Sequence, residues 1–87
     1  MNNNSKFIVV FTDGNELKNQ YFDSYLEALK LIETEYYHKK NYFEAAGCVA
    51  SEESYVDPEG KAKLVLGTRT FLWEILCFRV SFEIQHY

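Results

Sequence analysis

Glycine and proline are scarce in this chain, at four and one of 87 residues, which excludes collagen-like and linker-like polymers. Cysteine is equally sparse. Cys48 and Cys77 allow one intramolecular disulfide at most, and neither sits in a Cys-x-x-Cys pair. No long apolar run exists. Phe7–Phe11 is too short for a signal-peptide core and has no small-residue cleavage site behind it, and nothing approaches a membrane-spanning length. The chain therefore reads as a cytoplasmic protein with two reduced, buried thiols. There is no glycine-rich phosphate loop, because the glycines at 14, 47, 60 and 67 are dispersed as turn residues. Bases are in deficit, nine against thirteen acids for a net charge of −4, and they form no run in the sequence. Direct nucleic-acid binding is disfavoured on that ground, leaving Lys61, Lys63, Arg69 and Arg79 as a modest basic stripe on one side of a sheet.

What is abundant is large contact surface. Hydrophobic residues make up 47% of the chain and aromatic residues 17%, enough to fold one small domain but not to carve a deep cleft. Residues 1–5 are polar and expected to fray, leaving 6–87 as a single domain.

The pattern within that domain predicts the order β-β-α-β-β-β. Lys6–Thr12 is β-branched and aromatic on both parities and reads as a strand with both faces needing cover. Asp13-Gly14 signals a two-residue hairpin into a more polar edge strand, Asn15–Phe22. Ser24-Tyr25-Leu26-Glu27 has the form of a capping box. Behind it Tyr25, Leu29, Ile32 and Tyr36 recur at helical steps, widened by Ala28. The expected helix runs from Tyr25 to Lys40, with His38, Lys39 and Lys40 in its last turn and Asn41 as the stop. Tyr42–Ala46 is open to helix or loop, and Gly47–Ala50 to a short strand. Asp57-Pro58-Glu59-Gly60 is a turn between strands near Glu53–Val56 and Lys61–Leu66. Phe71–Cys77 is apolar on both parities and reads as strand in preference to helix. Phe78, Val80, Phe82 and Ile84 then alternate with polar neighbours as a half-buried strand. The fold class is α+β, a mainly antiparallel sheet with one helix packed on one face.

One helix leaves the second sheet face to be covered by a curl of the sheet, by a second copy, or by a target. Val9, Phe11 and Trp73 are the candidates for self-association. Trp73 weighs as core before interface, although its indole N–H needs a partner.

The negative charge is concentrated. Tyr42–Glu59 holds Glu44, Glu52, Glu53, Asp57 and Glu59 with no base, so this stretch alone carries −5. Interleaved with Tyr42, Phe43 and Tyr55, it reads either as a solvated loop or as an acidic, aromatic-edged patch for a larger basic protein or nucleoprotein complex. Signs of chemistry are weak. Glu35 and His38 have metal-ligand spacing on one helix but lack the second such pair that a di-metal site needs. Cys48, Cys77, His38 and His86 lack zinc-finger spacing. Cys48 has no local mark of a nucleophile. No catalytic residue, metal or cofactor is expected.

In its short acidic chain, its Met1-Asn2-Asn3-Asn4 start, its aromatic load and the segment Glu44–Glu59, the protein resembles small inhibitors encoded by phages and mobile elements, anti-CRISPR proteins among them. The likeness is one of composition over the whole chain. It implies a non-enzymatic, protein-binding inhibitor that occludes a basic nucleic-acid-binding surface of a host defence nuclease complex. The alternative is a small homodimeric assembly module of housekeeping type.

Overall fold

The computed structural model describes residues 5–79. Five strands form one antiparallel sheet: β1 (Ser5–Thr12), β2 (Leu17–Phe22), β3 (Tyr55–Asp57), β4 (Lys61–Leu66) and β5 (Arg69–Arg79). A single helix, α1 (Tyr25–Ala45), follows β2. The spatial order is β2-β1-β5-β4-β3, so the fold is α+β in the expected element order. β5 is one continuous strand across the stretch in which helix and strand had competed. The alternating segment from Val80 onward lies outside the described residues, as do residues 1–4. Ser5, expected to fray, opens β1.

The helix begins where the sequence signals it. Ser24 is the N-cap, its hydroxyl accepting from the Glu27 backbone N–H at 3.3 Å. It ends five residues later than expected. His38, Lys39 and Lys40 fall inside the helix, and Lys40 reaches one turn forward to Glu44 at 3.0 Å. Asn41 is passed over, and the stop is Gly47, at φ +93°. The Cys48 N–H donates to the Phe43 carbonyl at 2.8 Å and the Gly47 N–H to the Glu44 carbonyl at 3.0 Å. Those two bonds are a Schellman cap, which needs a left-handed residue that glycine supplies at least cost. The residues after the cap, 48–50, are irregular and form no strand.

The β1–β2 connection also differs from expectation. Thr12 pairs with Leu17, giving a four-residue loop. The Asp13 carboxylate accepts from the N–H groups of Asn15 and Glu16 at 2.8 and 3.0 Å, an Asx arrangement that replaces the two-residue turn. These bonds hold the Asp13 carboxyl below the usual carboxylate range.

One sheet face packs on the helix. Val9 and Phe11 of β1, Ala62, Leu64 and Leu66 of β4, and Phe71 and Trp73 of β5 meet Ala28, Ile32 and Tyr36 of α1. Among the described residues no polar or charged residue is buried. Trp73 is the hub. Its ring lies 5.1 Å from Phe11 and 6.0 Å from Tyr36, and its indole N–H donates to Glu35 Oε1 at 3.0 Å. That bond satisfies a polar atom in a residue only 1% exposed.

The Asp57–Gly60 turn closes the far side of this layer. The Gly60 N–H donates to the Asp57 carbonyl, the Ile75 N–H to the Gly60 carbonyl, and the Tyr25 hydroxyl to the Pro58 carbonyl. Gly60 is buried at φ +100°, and a Cβ there would stand 3.2 Å from both Ile75 Cβ and the Tyr25 hydroxyl. Gly14, at φ +95°, has open space around it. Gly60→Ala is therefore expected to cost about 2 kcal/mol from strain and overlap together. Thermal unfolding should show a Tm lowered by roughly 8–16 °C. Gly14→Ala should lose less, since it carries the backbone strain alone.

Burial raises the Tyr36 phenol above its ordinary value, with the neighbouring Tyr37 adding to the effect. The Glu44 carboxylate raises the Lys40 ammonium in the same direction. A group whose folded value is raised gives stability that is intact below its unfolded value and lost as pH climbs through the folded one. Melting temperature should hold up to about pH 10 and then fall. In Tyr36→Phe that alkaline fall should be shallower in a Tm-against-pH series.

Candidate functional site

Antiparallel register decides which side chains share a face. The pairs Phe11↔Trp73, Val9↔Ile75 and Ala62↔Trp73 lie on the helix side. The residues between them face away: Ile8 and Val10 of β1, Leu72, Glu74 and Leu76 of β5, and Lys61 and Lys63 of β4. β2 adds Leu17 and Tyr21, and β3 adds Tyr55 and Asp57. No element among the described residues covers this outer face. Leu17, Tyr21, Leu72 and Leu76 are 66%, 65%, 42% and 45% exposed on it. Its middle is dimpled by a depression of about 230 Å³, flanked by Val10, Tyr55, Leu72 and Glu74.

The candidates for self-association are corrected by this register. Val9, Phe11 and Trp73 are 2%, 7% and 1% exposed and lie beneath α1, so none is available to a second copy. The exposed apolar residues have the opposite parity. The signal that separates the two faces is Glu74, which interrupts the Leu72–Leu76 parity of β5 while Phe71, Trp73 and Ile75 run without a charge. β1 carries the same kind of marker at its ends, where Lys6 and Thr12 share the parity of Ile8 and Val10 while Phe7, Val9 and Phe11 run without a charge.

The acidic segment divides in two. Tyr42, Phe43 and Glu44 lie on the last turns of α1, and Phe43 is half-buried, 5.9 Å from the Phe71 ring. Glu52 and Glu53 form a turn before β3, Tyr55 and Asp57 lie on β3, and Glu59 is in the following turn. Folding brings bases to it: Lys40 pairs with Glu44, and Lys63 with Glu53 at 3.6 Å. The Asp57 carboxylate accepts from the Glu59 N–H at 2.8 Å, holding the turn. Glu52 and Glu59 have no lysine or arginine partner among the described residues and stand exposed at the β3 edge. Tyr55, 44% exposed, joins that edge to the outer face.

The basic stripe is likewise divided. Lys61 and Lys63 are on the outer face, whereas the Arg69 guanidinium lies over the Phe71 and Phe43 rings at 5.3 and 5.7 Å, on the helix side. Arg79 takes the last position of β5. Cys48 and Cys77 are both free and exposed, contrary to the buried thiols expected. Cys48 lies in the irregular chain after the helix cap, and Cys77 lies beyond the buried cluster, which ends on β5 at Trp73 and the half-buried Ile75. Glu35, half of the metal-spaced pair, is committed to the Trp73 indole, and His38 is exposed. Among the described residues no three His, Cys, Asp or Glu side chains gather as a metal site. His86 lies outside them. No helix among them is long and apolar enough to cross a membrane.

A second concavity lies on the helix side. A helix about 10 Å across cannot roof five strands spanning about 19 Å, so a trough remains beside it over β1 and β2. Its volume is about 440 Å³, with Val9, Phe11 and Leu31 among its apolar lining and Lys18, Gln20, Thr34 and Lys39 among its polar groups.

The chain matches no family model, no curated protein and no solved structure.

Glu35→Leu is expected to leave the Trp73 N–H without an acceptor and cost about 1–3 kcal/mol. Glu35→Gln keeps an acceptor and should cost less. Chemical denaturation followed by the fluorescence of the single tryptophan measures both.

Proposed function

We propose that the protein is a non-enzymatic, protein-binding inhibitor that docks on a larger basic protein through the outer face of its sheet. The observation that carries this reading is the open apolar face itself, with Leu17, Tyr21, Leu72 and Leu76 each at least 42% exposed around a central depression. An apolar centre with a polar margin is the anatomy of a protein contact surface. Glu52 and Glu59, free of cationic partners among the described residues, supply an acidic margin beside Tyr55. The whole chain carries −4, which favours the approach of a basic partner; on the face itself Lys61 and Lys63 leave that attraction to the Glu52 and Glu59 margin. The likeness to anti-CRISPR-type phage proteins extends the reading. The partner is then a host defence nuclease complex in the cytoplasm, and the basic surface is the one that holds its nucleic acid.

Capture from cells of the native host, quantified by mass spectrometry, tests the contact surface. Wild-type bait is compared with Leu72→Asp, with Glu52→Lys/Glu59→Lys, and with Lys30→Glu on the exposed side of α1. The partner should be depleted at least about tenfold by the first two and retained by the third, with all three variants folded as judged by circular dichroism. Equal capture by all baits overturns the assignment. A concentration-dependent dimer in sedimentation that Leu72→Asp dissolves would instead assign the face to a second copy.

A further inference from the structure

We infer that the trough between α1 and the β1–β2 hairpin is a binding site for a small amphipathic organic anion, one with an apolar body and a single carboxylate-like head. The shape admits a body of that kind. Val9 and Phe11, both nearly buried, and Leu31 give an apolar floor, and the volume of about 440 Å³ lies within the range of small-molecule sites.

The charge around the trough selects the sign of the ligand. The Lys18 and Lys39 ammonium groups both lie over the Phe11 ring, at 5.9 and 5.4 Å from its centre. Lys39 also lies 5.2 Å from the Phe71 centre, which it shares with the Arg69 guanidinium at 5.3 Å. Three cations therefore gather on two neighbouring rings of a chain that is acidic overall. Lys39 has no carboxylate within ion-pair distance among the described residues, and Lys18 has only the exposed Glu16, at 3.6 Å. The acid in the trough, Glu35, is turned toward the Trp73 indole and keeps its charge, and the two lysines outnumber it. Ring faces hold the two ammonium groups at the rim but do not neutralise them, and an anionic head group paired with those ammonium groups would. Gln20 and Thr34 add polar groups within reach of a head group at that rim. The trough lies on the helix side of the sheet, apart from the outer face assigned to protein binding.

The test is a titration of isotope-labelled protein with 2-naphthoate and, separately, with its neutral counterpart 2-naphthamide, read from backbone amide shifts. Naphthoate is expected to saturate shifts at Lys18, Gln20, Thr34 and Lys39, with naphthamide binding at least about tenfold more weakly. Lys39→Met and Lys18→Met keep the side-chain stems over Phe11 and should each narrow that preference, while Lys30→Met leaves it unchanged. Equal affinity for acid and amide overturns the inference. So does the absence of saturable shifts at these four amides up to about 10 mM, or their appearance at Leu72 and Leu76 in place of the trough.

Discussion

The bond from the Trp73 indole to the Glu35 carboxylate, 3.0 Å long, fixes how the two layers of this protein meet. Trp73 lies on the central strand of the sheet, and Glu35 is one residue before Tyr36, which packs its own ring against the same tryptophan. A hydrogen bond and an aromatic contact from adjacent helical positions set both the rotation of α1 and its position along the sheet. With the helix so placed, Ile32 and Ala28 fall over the strands and are fully buried. Trp73 and Phe71 are covered, and the space over β2 and the edge of Phe11 is left open. The trough and the core thus have one origin. The same bond orients the Glu35 carboxylate toward the indole; it keeps its charge, and Lys18 and Lys39 outnumber it in the trough.

Much of this was legible in the residues, and the reasons for the exceptions are physical. Ser24 announced the helix start because N-capping is local chemistry between a hydroxyl and a backbone N–H three residues on. The helix end is less legible, because Asn41 resembles a stop while the Schellman bonds at Gly47 join residues up to five apart. The turn at Asp57–Gly60 and the strand at Lys61–Leu66 were readable from Pro58, Gly60 and the flanking pattern. Which face of β1 turns inward is marked only at the strand's ends, by Lys6 and Thr12, and not at its centre. Ile8 and Val10 are as apolar as Val9 and Phe11, and the choice between them is made by partners 60 to 74 residues away along the chain, from Thr12↔Leu72 to Ser5↔Arg79.

The acidic segment teaches the complementary point. Its five carboxylates are consecutive in a count of charges but not in space, because a helix end and an edge strand pull them apart. Lys40 and Lys63 arrive from outside the segment and neutralise two of them. A charge run measures potential only when the elements next to it are known. The bases showed the reverse. Lys18, Lys39 and Arg69 are far apart in sequence, and Phe11 and Phe71 draw them together.

The position of β5 has a consequence for how the molecule assembles. It is the last described strand in the chain and yet central in the sheet, between β1 and β4. During synthesis β1, β2 and α1 emerge with no central strand to pack against, and the inward residues Phe7, Val9 and Phe11 of β1 lack their β5 neighbours until Arg69–Arg79 clears the ribosome. Pairings this remote make folding slow and post-translational in character. A ribosome stalled before Phe71 would hold a chain with two unmatched strand edges, a substrate for chaperones and proteases. The steady level of the protein in a cell would then depend on how quickly the chain through β5 is made.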